Sequence, residues 1–235
     1  FLAGGVTLLG SATLEDLIIS DNTHSTGGNV YPGGGIYIRY GSSTIRDCII
    51  TNNESGLGSA ITIHADEVGL TTIEDCEIYS NSGGGSSTSA IYLSGFGPSG
   101  TDLNINNSII HNNDGYGIYS SNSIVHLKGS LVYNDQIHTS SSPDYSQDNF
   151  ITTNSIITDI YAQSENRFNF TNSIIYDIES PNSAGPGTYI TKSYSYIGNI
   201  SVQAGWLTLF DEGGNIEDAP ILNADYTPQY NSPTI

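Results

Sequence analysis

The chain has no methionine, one tryptophan, two cysteines and only five basic side chains in 235 residues. Five Lys and Arg against twenty-four Asp and Glu leave a formal charge of −19. That balance repels the phosphate backbone of nucleic acids and anionic lipid surfaces, so no nucleic-acid partner is expected. The two cysteines, with no C-x-x-C spacing and no paired His, give no sign of metal or redox chemistry. No apolar run approaches the roughly eighteen residues a membrane helix requires, so no membrane span is expected in the visible chain. The opening FLAGGV lacks a charged region ahead of an apolar one, and the expectation is a mature or excised segment.

What is present is the composition of a turn-rich β protein. Twenty-seven Gly and many Asn, Ser and Thr accompany 37% hydrophobic and 10% aromatic residues, enough apolar mass for a core. One phrase recurs: STIRDCIITNNESG from Ser43, TTIEDCEIYSNSGG from Thr71 and DLNINNSIIHNNDG from Asp102. Aligned on an aliphatic anchor, its copies begin at Leu14, Ile45, Ile73, Ile105 and Leu127, then more loosely at Thr152, Phe170 and Ile190. Five residues on come Ile19, Ile50, Ile78, Ile110, Val132, Ile157 and Ile175, the eighth copy departing at Ser195. Eight residues on come Asn22, Asn53, Asn81, Asn113 and Asp135.

A constant strand phrase separated by loops of variable length is the signature of a solenoid. The first four copies carry a second strand, at 34–38, 59–63, 89–93 and 116–120, and no helical period competes. The expected fold is all-β, a single-stranded parallel β-helix of about eight to nine coils. Stacking at about 4.7–4.9 Å turns equivalent residues into columns. Asn22, Asn53, Asn81 and Asn113 then form a structural ladder whose amides bond one another and the turn backbone.

The phrase I-x-[DN]-[CS]-x-I-x-x-N and the G-[GA]-I strands resemble right-handed parallel β-helix proteins of the pectin-lyase-like superfamily. They are also similar to bacterial surface proteins with polymorphic-outer-membrane-protein-type repeats. Asp218, Ala219, Pro220, Asp225, Tyr226, Ser232, Pro233 and Ile235 resemble the SPxID-type end module of secreted bacterial β-helix proteins. The resemblance implies the right hand of the coil, a secreted or cell-surface location, and coils over 1–205 capped by 206–235 in a longer chain. It fits adhesins, stalks, lyases and hydrolases alike.

Several columns carry candidate chemistry. Cys48 and Cys76 share a position continued by Ser108, Ser130, Ser155, Ser173 and Ser193, which favours a small inward residue over a disulfide. Asp16, Asp47 and Asp75 share another, continued by Asn107, Asn154 and Asn172. Turn capping is the preferred reading there; calcium bound by oxygen ligands and paired acid and base carboxylates are the alternatives. Lyase chemistry would recruit Arg46 beside Asp47 and Asp75. The GHG and RIK motifs of polygalacturonase-like hydrolases do not occur. Ile18, Ile49, Ile109, Leu131, Ile156 and Ile174 form an outward aliphatic stripe, to be covered by loops or by a polysaccharide or protein partner. Tyr37, Tyr92 and Tyr119, with Thr62 in the same row, present aromatic faces suited to sugar rings. His64, His111, His126 and His138 show no metal spacing. The expected role is a non-catalytic extracellular module for adhesion, glycan contact or spacing; the alternative is a polysaccharide lyase or glycoside hydrolase.

Overall fold

The recurring phrase alternates apolar and small polar residues with a period of two, so each copy buries one face of a short strand. The computed structural model describes residues 4–24, 33–65, 69–85, 88–95, 101–140, 149–163, 166–180, 188–202 and 207–220. A first strand, β1 (Val6–Leu9), precedes four coils of three strands. These are β2 (Thr13–Glu15), β3 (Ile18–Ser20) and β4 (Ile36–Tyr40); β5 (Thr44–Arg46), β6 (Ile49–Thr51) and β7 (Gly58–Ala65); β8 (Leu70–Glu74), β9 (Glu77–Tyr79) and β10 (Ser89–Gly95); and β11 (Asp102–Asn106), β12 (Ile109–His111) and β13 (Tyr116–Ser121). Four coils of two longer strands follow: β14 (Ile124–Lys128) and β15 (Leu131–Thr139); β16 (Phe150–Thr153) and β17 (Ile156–Ala162); β18 (Asn166–Thr171) and β19 (Ile174–Ser180); β20 (Thr188–Ser193) and β21 (Tyr196–Val202). A ninth coil starts with β22 (Leu207–Asp211).

Neighbouring coils pair in parallel, forming two sheets. One has nine strands in the order β2-β5-β8-β11-β14-β16-β18-β20-β22. The other has thirteen strands and forks at β15: one arm runs β13-β10-β7-β4-β1, the second β12-β9-β6-β3, while β17, β19 and β21 continue as a common stem. The fork follows from chain length at one corner. Five residues separate Ile110 from Tyr116, but only three separate their partners Val132 and Gln136, and in the next coil Thr158 alone separates Ile157 and Asp159. With the corner shortened, two strands fuse into one.

Both corners of the phrase use left-handed backbone, which Asp, Asn and Gly adopt at least cost. Between the two sheets the column is Asp16, Asp47, Asp75, Asn107, Gly129, Asn154, Asn172 and Tyr194, each with φ between 48° and 62°. At the second corner it is Asp21, Asn52, Ser80, Asn112 and Asn134. The expected asparagine ladder lies just inside that corner. Asn22 Nδ2 donates to Asn53 Oδ1 at 2.9 Å, Asn53 to Asn81 at 3.0 Å, and Asn81 to Asn113 at 2.9 Å. Each Oδ1 also accepts the backbone N–H of the preceding rung. The small residues of the G-[GA]-I motif make room for the rungs: a Cβ on Gly35 would approach the Asn53 amide to 3.2 Å.

The interior is aliphatic in the early coils, with Ile45, Ile50, Ile73, Ile78, Ile105 and Ile110 fully buried. In the later coils Phe150, Phe168 and Phe170 fill it, with ring centroids 5.7–6.0 Å apart. Each fully buried aliphatic side chain contributes roughly 1.5–3 kcal/mol relative to an exposed one.

Two expectations shift. The eighth anchor is Lys192, which pairs with Phe170; Ile190 pairs with Phe168 instead. Ser195 therefore continues the cysteine and serine column in place of Ser193, and Ile197 pairs with Ile175 in the core column. That column satisfies backbone groups, with the Ser108, Ser130, Ser155, Ser173 and Ser195 hydroxyls accepting N–H groups from the coil before at 3.1–3.3 Å. Cys48 and Cys76 are free and buried, and their thiols donate to the Arg46 and Glu74 carbonyls. Burial pushes the Cys76 thiol up to about 11. Of the end-module residues, Asp225, Tyr226, Ser232, Pro233 and Ile235 lie outside the described residues, as does Trp206.

Candidate functional site

The carboxylate column lies at the corner between the two sheets. Asp16, Asp47 and Asp75 are exposed, and their left-handed backbone accounts for Asp and Asn at these positions without an ion. Among the described residues, no group of three His, Cys, Asp or Glu side chains could hold a metal ion. Arg46 is held by Glu15 at 2.7 Å, and that carboxylate raises its pKa further. The aliphatic stripe is open at Ile18, 73% exposed, and at Ile109; Ile49, Leu131 and Ile156 are half-buried, while Ile174 is closed off at 4%.

Register places the tyrosine row more informatively. Across the fork the column reads Tyr37, Thr62, Tyr92, Tyr119, His138, Tyr161, Glu179 and Ser201. Tyr37 and Tyr92, expected to face solvent, are buried at 3% and 9% exposure. Outward orientation in a strand does not ensure access to water, and these two rings cannot present open faces. Tyr92 instead stacks on half-exposed Tyr119 at 5.1 Å. The row opens towards the stem, where Tyr161 is half-exposed and Glu179 exposed.

His138 on β15 is the centre of this region. Its ring lies 4.6 Å from Tyr116, 4.7 Å from Tyr119 and 5.1 Å from Tyr161. Its Nε2 donates to Gln163 Oε1 at 3.2 Å, which leaves Nδ1 as a bare acceptor. That Nδ1 is buried and has no partner among the described residues. Burial lowers the pKa of the imidazole and favours its neutral form.

Beside the rings runs a second outward column: Tyr116, Gln136, Asp159, Asp177 and Asn199. Gln136 Nε2 donates to Asp159 Oδ2 at 2.8 Å, and Asn199 Nδ2 to Asp177 Oδ1 at 2.8 Å. The second Asp159 oxygen is buried without a partner among the described residues. Burial, then the charges of Glu179 and Asp177, raise the Asp159 pKa. All five basic side chains lie elsewhere, Arg39 on β4 and Arg46, Lys128, Arg167 and Lys192 on the nine-stranded sheet.

The sequence reading missed Asp159, Asp177 and His138 as site residues. The recurring x-[DN]-I triplets Thr158-Asp159-Ile160, Tyr176-Asp177-Ile178 and Gly198-Asn199-Ile200 carried the signal. A second aromatic group, Tyr79, His111 and Tyr133, stacks on the other arm at 5.2 and 4.8 Å, with His111 Nε2 3.1 Å from Glu77 Oε1.

The model of the family described as right-handed beta helix region matches residues 3–156. The chain belongs to this family. Comparison with curated proteins and with solved structures finds no match. Membership in the right-handed beta helix family accords with the parallel coils and leaves the task of the exposed faces to their chemistry.

Proposed function

We propose that this right-handed β-helix is a non-catalytic module of a secreted or cell-surface protein, and that it contacts glycan through the outer face of the forked sheet around His138. The observation that carries this reading is the set of half-exposed rings, Tyr116, Tyr119 and Tyr161, packed around His138 beside the hydrogen-bonded Asp159 and Asp177 row. Flat rings offer apolar faces to sugars, and an adjoining polar row orients hydroxyls. The backbone groups under this face are used in the ladder between coils, so the site is rigid and loses little freedom on binding. The likeness of the repeats to pectin-lyase-like and bacterial surface proteins supports the location.

Calorimetry against a panel of oligosaccharides tests the reading. Binding should weaken about two- to tenfold in Tyr161→Ala, taking one aromatic contact as about 0.5–1.5 kcal/mol. Undiminished binding in that variant would place the glycan elsewhere. One observation favours the alternative of a polysaccharide-degrading enzyme. Asp159, with its raised pKa, stands one coil from Asp177, a pairing from which acid and base roles are built. Release of reducing sugar or unsaturated uronate, lost in Asp159→Asn, would support that alternative.

A further inference from the structure

The buried atoms left without a partner among the described residues at the His138 face are acceptors. The side-chain amides of Gln136 and Asn199 are already donating, to Asp159 and Asp177. Besides the second N–H of each amide and the Tyr116, Tyr119 and Tyr161 hydroxyls, His138 Nδ1, Asp159 Oδ1, the second Asp177 oxygen and the Glu179 carboxylate remain, and the neutral imidazole nitrogen and carboxylate oxygens act as acceptors. Two of these, His138 Nδ1 and Asp159 Oδ1, are buried and unpartnered, the former on a side chain only 5% exposed. A buried acceptor without a partner is costly, so such a site favours an incoming donor. The electrostatics point the same way. Strands β13, β15, β17, β19 and β21 contain no Lys or Arg, so Asp159, Asp177 and Glu179 have no basic counter-charge on the strands around them; Arg39, on the same sheet, lies on β4 towards the far end of one arm. Tyrosine faces add attraction for a cation through the ring quadrupole.

Resting on the glycan reading above, we infer that the ligand is an amine-bearing glycan, a polymer of protonated amino sugars, held at the Tyr116, Tyr119 and Tyr161 rings with its ammonium groups on Asp159, Asp177 and Glu179. A single metal ion fits poorly, because no metal-holding trio exists among the described residues. Acceptors spread along the coil axis suit charges repeated along a chain. A ring polymer suits the stacked aromatic faces, whereas an extended peptide would look for an unpaired strand edge, and these strands are interior to the sheet.

The test uses the whole chain and three probes in calorimetric titration at a pH where the amines are protonated: a β-1,4-linked glucosamine hexamer, its fully N-acetylated counterpart, and a lysine hexapeptide. The amine hexamer should bind at least about tenfold more tightly than the acetylated one. That preference should shrink with added salt and disappear in Asp177→Asn and Glu179→Gln, substitutions outside the core that leave folding intact by circular dichroism. Asp102→Asn on the nine-stranded sheet should leave it unchanged. Equal binding of both hexamers, sensitive to Tyr161→Ala, overturns the amine inference and keeps the glycan reading. Binding of neither hexamer overturns both. Binding of the lysine peptide at least as tightly as the amine hexamer, with the same loss in Asp177→Asn, overturns the glycan choice in favour of a basic protein partner.

Discussion

In the first four coils the chain turns between β6 and β7, or β9 and β10, through a corner lined by the buried amides of Asn53 and Asn81. In the later coils β17 and β19 cover the same two faces in one continuous strand. The early coils hold their corner with side-chain hydrogen bonds between rungs; the later ones, having lost the corner, fill the interior with Phe150, Phe168 and Phe170. Shape and filling change together, because a coil that alters its cross-section must alter its packing volume. Asp135 marks the join. It takes the rung after Asn113, accepting the Asn113 N–H at 2.8 Å and Nδ2 at 2.6 Å, and a Cβ on Gly117 would lie 2.8 Å from its own Cβ. The join also brings the rings of β13 beside the carboxylates of β17 and β19.

The largest expected effect breaks the later region: Phe168→Ala should lower unfolding stability by about 3–5 kcal/mol in urea denaturation. A loss under about 1 kcal/mol would mean that the rings are not the packing centre. Asn81→Ala should cost about 3 kcal/mol, since it orphans the Asn53 N–H and opens the Asn113 rung, each such group being worth about 1–3 kcal/mol. Hydrogen exchange should then show coils one to four opening before the stem; uniform opening would count against two distinct halves.

Asp135→Asn sharpens the join. Burial pushes the Asp135 carboxyl up to about 6 from an ordinary 3.8, outweighing the stabilising Asn113 bonds. Folding therefore favours its proton: this contribution is complete below about pH 4 and is lost as pH rises through about 6. Two pKa units correspond to about 3 kcal/mol, so the asparagine variant should gain up to that amount at pH 7 and flatten the decline between pH 4 and 6. An unchanged pH profile would mean that the carboxylate is accommodated as an ion. The smallest effect belongs to the outer corner, where Asp47→Gly should shift stability by less than about 1 kcal/mol, equally in EDTA and in calcium. A calcium-dependent melt in the native chain that this variant abolishes would restore an ion to the column.

Strands, coil count and the asparagine ladder were legible because each depends on a fixed offset within one phrase. Asn53 and Asn81 must meet if their coils stack, whatever loop lies between them. The eighth anchor was misplaced because Ile190 has the right chemistry two residues ahead of Lys192, and only pairing distinguishes them. Tyr37 and Tyr92 were sorted correctly to the outer face and wrongly to solvent, since alternation gives direction and not cover. Asp159 and Asp177 escaped notice because their column carries Ser89 and Tyr116 in the earlier coils, with no acid to mark it, and it continues through Gln136 only across the shortened corner.

The repeat alone determined a stacked β-helix, its apolar interior and the polar ladder that satisfies its corner, because these follow from a period along the chain. Tertiary structure decided where the coil changes from three strands to two, and so which aromatic and acidic columns stand side by side around His138. That outcome depends on register between coils and on two residues removed from one corner, quantities that a local pattern does not contain.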